Sequence, residues 1–112
     1  MFKSIYRMLI DDFTFLNDYG FLFSYEMKHH EQPSVVFNKG LIEIRIGYSY
    51  VKNQMYLLRY DPPLEYNPTL KAGLLNCIDL LEKTVLIGSS YKTQLNQVKE
   101  IMLKYLHTEF QL

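Results

Sequence analysis

Residues 42–50, Ile42-Glu43-Ile44-Arg45-Ile46-Gly47-Tyr48-Ser49-Tyr50, decide the fold. Apolar or aromatic side chains take every second position, and Glu43, Arg45, Gly47 and Ser49 fall between them. A period of two belongs to a half-buried strand, because successive side chains on extended backbone point to opposite faces. A strand cannot bury that face alone, so the flanking sequence must supply its neighbours.

Upstream, Asn38-Lys39-Gly40 reads as a turn with glycine in the left-handed position, joining the strand to Ser34-Val35-Val36-Phe37. Pro33 ends the ladder before that. Phe21, Phe23, Tyr25 and Met27 alternate with Leu22, Ser24, Glu26 and Lys28, which gives a first strand. Ile5, Leu9, Phe13 and Leu16 recur at helical spacing over Lys3 to Asp18, and Gly20 suits the C-terminal position of that helix.

Downstream, Val51-Lys52-Asn53 occupies a turn leading to a fourth strand, Gln54 to Asp61. With Asn53 left-handed, Tyr50 pairs with Gln54, and Tyr48 with Tyr56, Ile46 with Leu58 and Ile44 with Tyr60 share the core face. Arg45 and Arg59 then meet on the outer face, an unfavourable pair unless Glu43 or Asp61 intervenes. A two-residue turn pairing Val51 with Gln54 is the alternative. On this reading Val35, Phe37, Leu41, Met55 and Leu57 lie on the outer face.

Pro62, Pro63 and Pro68 mark Asp61 to Pro68 as a loop, and Asn67-Pro68 opens a second helix with Leu70, Leu74, Cys77, Ile78 and Leu81 as its buried stripe. After Gly88-Ser89-Ser90, Leu95, Val98, Met102, Tyr105 and Leu106 define a third helix opposite Lys92, Gln97, Lys99 and Lys104. The expected architecture is α+β: residues 1–112 form one domain, a four-stranded antiparallel meander flanked by one N-terminal and two C-terminal helices.

Composition narrows function. Twelve basic residues balance twelve acidic ones, and no window concentrates Lys or Arg as a nucleic-acid footprint requires. The one cysteine cannot form an intrachain disulfide, Asp11-Asp12 breaks the N-terminal apolar run before a signal-peptide core forms, and no stretch is apolar enough to span a bilayer. A cytoplasmic protein without membrane insertion is expected. A charge-neutral chain repels its copies weakly, so a homodimer burying its outer sheet faces stays open.

Chemistry is sparse. In His29-His30-Glu31 the two histidines point to opposite sides of extended backbone, which suits a solvated loop better than a metal site. Asp11 and Asp12 splay about 100° apart on a helix, and Asp12, on the apolar stripe, suits a bond to a sheet edge or a tyrosine. Cys77 reads as a small buried hydrophobe. The glycines are scattered singly, so no phosphate loop exists. No cofactor or metal is expected. Tyr48, Tyr50, Tyr56, Tyr60 and Tyr66 cluster around the last hairpin and the proline loop, and tyrosine offers large contact area at low entropic cost.

The junction Phe15-Leu16-Asn17-Asp18-Tyr19-Gly20-Phe21, with Val35-Val36-Phe37-Asn38 and Ile42-Glu43-Ile44-Arg45-Ile46, resembles small uncharacterised bacterial α+β proteins, some of them immunity-like proteins of polymorphic toxin systems. The resemblance covers about the first half of the chain and carries no catalytic residues. Sparse chemistry, the tyrosine cluster and apolar residues on the outer face point to a non-enzymatic intracellular protein-binding domain, and the resemblance implies its sharpest form, an immunity-type inhibitor of a toxin. Arg45, Arg59, Tyr56, Tyr60, Glu65 and Tyr66 are the contact residues expected from the tyrosine cluster and its neighbours. The competing reading is a small-ligand or enzymatic domain with a pocket between sheet and helices, using Asp12, His29, Tyr48 and Cys77.

Overall fold

The computed structural model of the chain describes residues 3–61, 76–82 and 84–110. Helix α1 spans Ile5–Asp12, with the Ser4 side chain accepting from the Arg7 amide as its N-cap. A 3₁₀ helix, Thr14–Tyr19, continues the path to Gly20, whose φ of 88° ends it as the sequence suggests. The expected single helix is thus two pieces with one buried stripe, Leu9, Phe13 and Leu16. Each of these side chains contributes about 1.5–3 kcal/mol by leaving water.

The sheet runs β1 (Leu22–Met27), β2 (Ser34–Lys39), β3 (Ile42–Ser49), β4 (Gln54–Asp61) and β5 (Asn76–Asp79), antiparallel throughout and in chain order. Helix α2, Tyr91–Glu109, follows a capping box in which Ser90 and Thr93 satisfy each other's amides. Both helices and the 3₁₀ segment pack on one sheet face, against Val35, Phe37, Ile44, Ile46, Tyr48, Met55 and Leu57. Tyr91 of α2 donates to the Asp12 carboxylate, so the polar residue on α1's apolar stripe ties the two helices together.

Three expectations are corrected here. Among the described residues there are five strands: residues 76–79 pair with β4, Cys77 opposite Tyr60 and Ile78 opposite Arg59. Leu74, Cys77, Ile78 and Leu81 do recur at helical spacing, but β4 offers an edge of unpaired amides and carbonyls, and pairing with it satisfies both strands. Cys77 and Ile78 are consequently exposed, and Leu81 alone of that described stripe reaches the core. The expected helix start at Asn67-Pro68 lies outside the described residues, and α2 is the one C-terminal helix among those described.

The second and third corrections concern hairpin parity. The β2–β3 turn is Gly40-Leu41, with Lys39 opposite Ile42, which sets Val35 against Ile46 and Phe37 against Ile44 on the helix side. In the β3–β4 hairpin Asn53 is left-handed (φ 51°), as expected, yet Ser49 pairs with Gln54, making the turn four residues long. That is one residue away from the Tyr50–Gln54 pairing and two from the Val51–Gln54 alternative. A slip of one reverses every side chain of the strand. Met55 and Leu57 therefore enter the core, and Tyr56, Leu58 and Tyr60 turn to the face opposite the described helices. Arg59, opposite Ile44, goes to the helix side, so it does not meet Arg45.

Gln94 holds this register. Its side chain is 1% exposed, accepts from the Met55 amide at 2.7 Å, and donates to the carbonyls of Asn53 at 2.8 Å and Gly88 at 2.9 Å. Gln94→Ala leaves the Met55 amide buried without a partner, and we expect a loss of about 2–3 kcal/mol in urea denaturation. Gln97→Ala, which removes bonds to Ile87 at an exposed site, should cost less than about 1 kcal/mol. Equal losses would mean that Gln94 does not pin the hairpin.

Candidate functional site

Strands β2, β3 and β4 present Ser34 and Val36, Arg45 and Gly47, and Tyr56, Leu58 and Tyr60 on the face opposite the helices. Val36, between Tyr25 and Arg45 in the pairing, is fully buried there and lies outside the main core cluster. The loop from Lys28 to Pro33 folds beside this face. Its end continues the β3 ladder, with the Tyr48 amide on the Pro33 carbonyl at 3.1 Å and the Tyr50 amide on the Glu31 carbonyl at 2.8 Å.

Gly47 makes room for the central aromatic ring. A Cβ there would sit 2.3 Å from Tyr56 Cζ and 2.6 Å from the Pro33 carbonyl oxygen, so only glycine lets the ring lie on the strand. The Tyr56 hydroxyl donates to the Gln32 carbonyl at 2.8 Å, which bridges sheet and loop. The bridge stands between two recesses. One, of about 330 Å³, is lined by Met27, Lys28, His29, Gln32, Ser34, Arg45, Tyr56, Leu58 and Tyr60. The other, of about 270 Å³, shares Gln32, Tyr56 and Leu58 and adds Ser49, Lys52, Gln54, Met55 and Asp79.

Arg45 is held flat. Its guanidinium lies 4.3 Å from the Tyr60 ring centroid, and Nη1 donates to the Tyr60 hydroxyl at 3.3 Å. Nη2 approaches the Glu43 carboxylate only to 3.9 Å, and Nε is buried with no partner. Burial raises the Tyr56 hydroxyl above its ordinary pKa, and burial with a Cys77 contact raises that of Tyr60 although Arg45 opposes it.

Of the expected contact residues, Arg45, Tyr56 and Tyr60 come together on this face. Arg59 does not: on the helix side its Nε donates to the Asp61 carboxylate at 2.9 Å, it bonds the Tyr105 hydroxyl, and it lies 5.2 Å from the Phe110 ring centroid. Glu65 and Tyr66 lie outside the described residues. The four candidate catalytic groups are divided between the faces. Asp12 is bound to Tyr91 and Tyr48 donates to the Ser89 carbonyl at 2.9 Å, both beside the helices, while His29 and Cys77 belong to the other side.

His29 serves its own loop. Its Nδ1 accepts from the amides of Glu31 at 3.2 Å and Gln32 at 3.1 Å, and the His30 ring stacks on it with centroids 5.3 Å apart. Among the described residues no group of three or more His, Cys, Asp or Glu side chains is placed to hold a metal ion. Lys28, Gln32, Ser34 and Leu58 are lining residues that sequence reasoning missed. Glycine inside a regular strand, at position 47, was the available signal, because it marks a close approach by another group.

No family model, no curated protein and no solved structure matches the chain.

Two outcomes test this geometry. Gly47→Ala should destabilise by about 1–3 kcal/mol through overlap with Tyr56 and Pro33, and less than additively with Tyr56→Leu, as a double-mutant cycle would show. Full additivity would place the Tyr56 ring elsewhere. In alkali, raised native pKa values for Tyr56 and Tyr60 mean that their stabilisation is complete below the ordinary tyrosine value of 10.0 and is lost as pH rises through the higher native values. Phenolate absorbance should therefore rise in more than one phase, with urea resistance falling over the later one. A single phase for all ten tyrosines would put both rings in open solvent.

Proposed function

We propose that the chain is a non-enzymatic protein-binding domain that engages its partner through the sheet face opposite the helices. One observation carries this reading: that face, which neither described helix covers, joins two stacked or bridged tyrosines and an arginine to two adjoining recesses on a rigid strand platform. Tyrosine and arginine are the side chains that contribute most at protein interfaces, and fixing them before binding reduces the ordering cost. The division of Asp12 and Tyr48 from His29 and Cys77 also favours binding over catalysis, since acid, base and nucleophile must converge within hydrogen-bond reach. An intracellular immunity-type inhibitor is the form implied by the resemblance over residues 15–46, with occlusion of a toxin as the mechanism. Among the described residues no helix is long and apolar enough to cross a membrane.

The test uses the full tagged chain in its native host's lysate, with stoichiometry of the recovered complex read by size exclusion. Lys28→Glu and Gln54→Arg alter the rims of the two recesses at exposed positions, and Lys92→Glu and Lys104→Glu alter the outward side of α2. The first pair should weaken partner capture by about tenfold or more, and the second pair should leave it unchanged. The reverse pattern moves the interface to the helices and sinks the proposal. Recovery of a dimer that the first pair dissociates would make the partner a second copy of the chain.

A further inference from the structure

The larger recess has a chemical polarity that the docking face as a whole lacks. We infer that it receives the carboxylate of an acidic segment of the partner protein, with Arg45 as the recognition residue; this rests on the docking reading above.

Arg45 Nε is buried and unpartnered, and a charged donor withdrawn from water without an acceptor costs several kcal/mol unless a ligand supplies one. With Nδ1 of His29 accepting two amides, the neutral ring carries its proton on Nε2 as a donor, and Lys28 also lines the recess. No Asp or Glu is among its described lining residues.

Charge then selects among anions. Among the described residues, Lys28 and Arg45, set against Glu43 at 3.9 Å from Arg45, leave one positive charge in excess at neutral pH. A carboxylate carries one negative charge, whereas a phosphate monoester carries nearly two. The planar guanidinium, 4.3 Å from the Tyr60 ring centroid, matches a planar carboxylate in shape and charge. Twelve basic residues balance twelve acidic ones, and no window of the sequence concentrates Lys or Arg as a nucleic-acid backbone would require. Tyr56 and Leu58 beside Arg45 provide apolar contact for the rest of the segment.

The experiment follows the Arg45 Nε–Hε resonance of the full-length protein by NMR while hexaglutamate peptide is added. The expected result is a saturable shift of that resonance and of the Lys28, His29 and Gln32 amides, with no response to hexaglutamine. Arg45→Gln should weaken hexaglutamate binding at least about tenfold, the loss of one charge-assisted hydrogen bond, and Lys28→Gln about threefold or more. Because the wild-type resonance is itself the readout, a folding defect in Arg45→Gln does not remove the test. An unmoved Arg45 resonance at millimolar peptide overturns the inference, as does a stronger response to inorganic phosphate. If the captured partner tolerates Arg45→Gln but is still lost with Lys28→Glu and Gln54→Arg, the carboxylate assignment fails and the docking reading stands. If hexaglutamate binds at Arg45 while capture ignores every open-face substitution, the docking reading fails by itself.

Discussion

The three hydrogen bonds of Gln94 are the constraint on which the rest depends. One buried amide grips both sides of the β3–β4 turn, at the Asn53 carbonyl and the Met55 amide, and anchors both to the loop before α2 through the Gly88 carbonyl. Hairpin register in a strand pair with apolar residues on both faces is weakly specified by hydrophobicity, because either face can be buried. Residues 54–61 are such a case: Met55 and Leu57 compete with Tyr56, Leu58 and Tyr60 for the core. A hydrogen-bonding side chain that fits one register breaks the tie, and a polar contact thereby decides which hydrophobic side chains are buried.

From that choice follows the separation of the two arginines. In the observed register Arg59 joins Asp61, Tyr105 and Phe110 at the end of α2, where its charge is met by a carboxylate and an aromatic hydroxyl. Arg45 remains on the opposite face, where among the described residues it has the Tyr60 hydroxyl, a distant carboxylate and an unpartnered Nε. Two residues of one type at similar depth thus do different work. Arg59 is satisfied within the fold and fastens the helix to the sheet, whereas Arg45 is held rigid by Tyr60 and left chemically incomplete. An incomplete, immobilised cation is what a recognition site requires, since little conformational entropy is lost when its counter-ion arrives.

The sequence made the single-strand patterns legible and left the pairings ambiguous. Strand β3 and helix α2 stand out because their periodicities are long and unmixed, and Gly20 and Asn53 are recognisable as left-handed residues. The faces of β2 and β4 were not readable, since a turn of two, three or four residues changes parity without changing composition. Strand β5 was hidden for a different reason: four residues carry too little period to outweigh a helical spacing, and what makes them a strand is the edge of β4, a partner distant in space from any local signal. The site shared this fate. Tyr56, Tyr60 and Arg45 could be picked by residue type, but the expected register put the two tyrosines on the core face and paired Arg45 with Arg59, and Gln94 gave no sign beyond being a polar residue on a buried stripe.

The sheet edges bear on where a partner docks. A partner that adds a strand needs an uninterrupted row of amides and carbonyls. Strand β1 lies at one edge and exposes Leu22, Phe23 and Tyr25, yet its pairing with β2 shifts between Phe23 and Tyr25, where a bulge at Ser24 interrupts the regular row. At the other edge β5 is four residues long and is followed at once by a turn, with the Asp79 carboxylate accepting from the Leu81 amide at 3.0 Å. Both edges therefore offer poor templates for backbone pairing, in the way that natural sheets avoid unwanted association. On the proposed reading, recognition falls to side chains on the face, where Gly47 makes room for the Tyr56 ring and Tyr60 packs against Arg45.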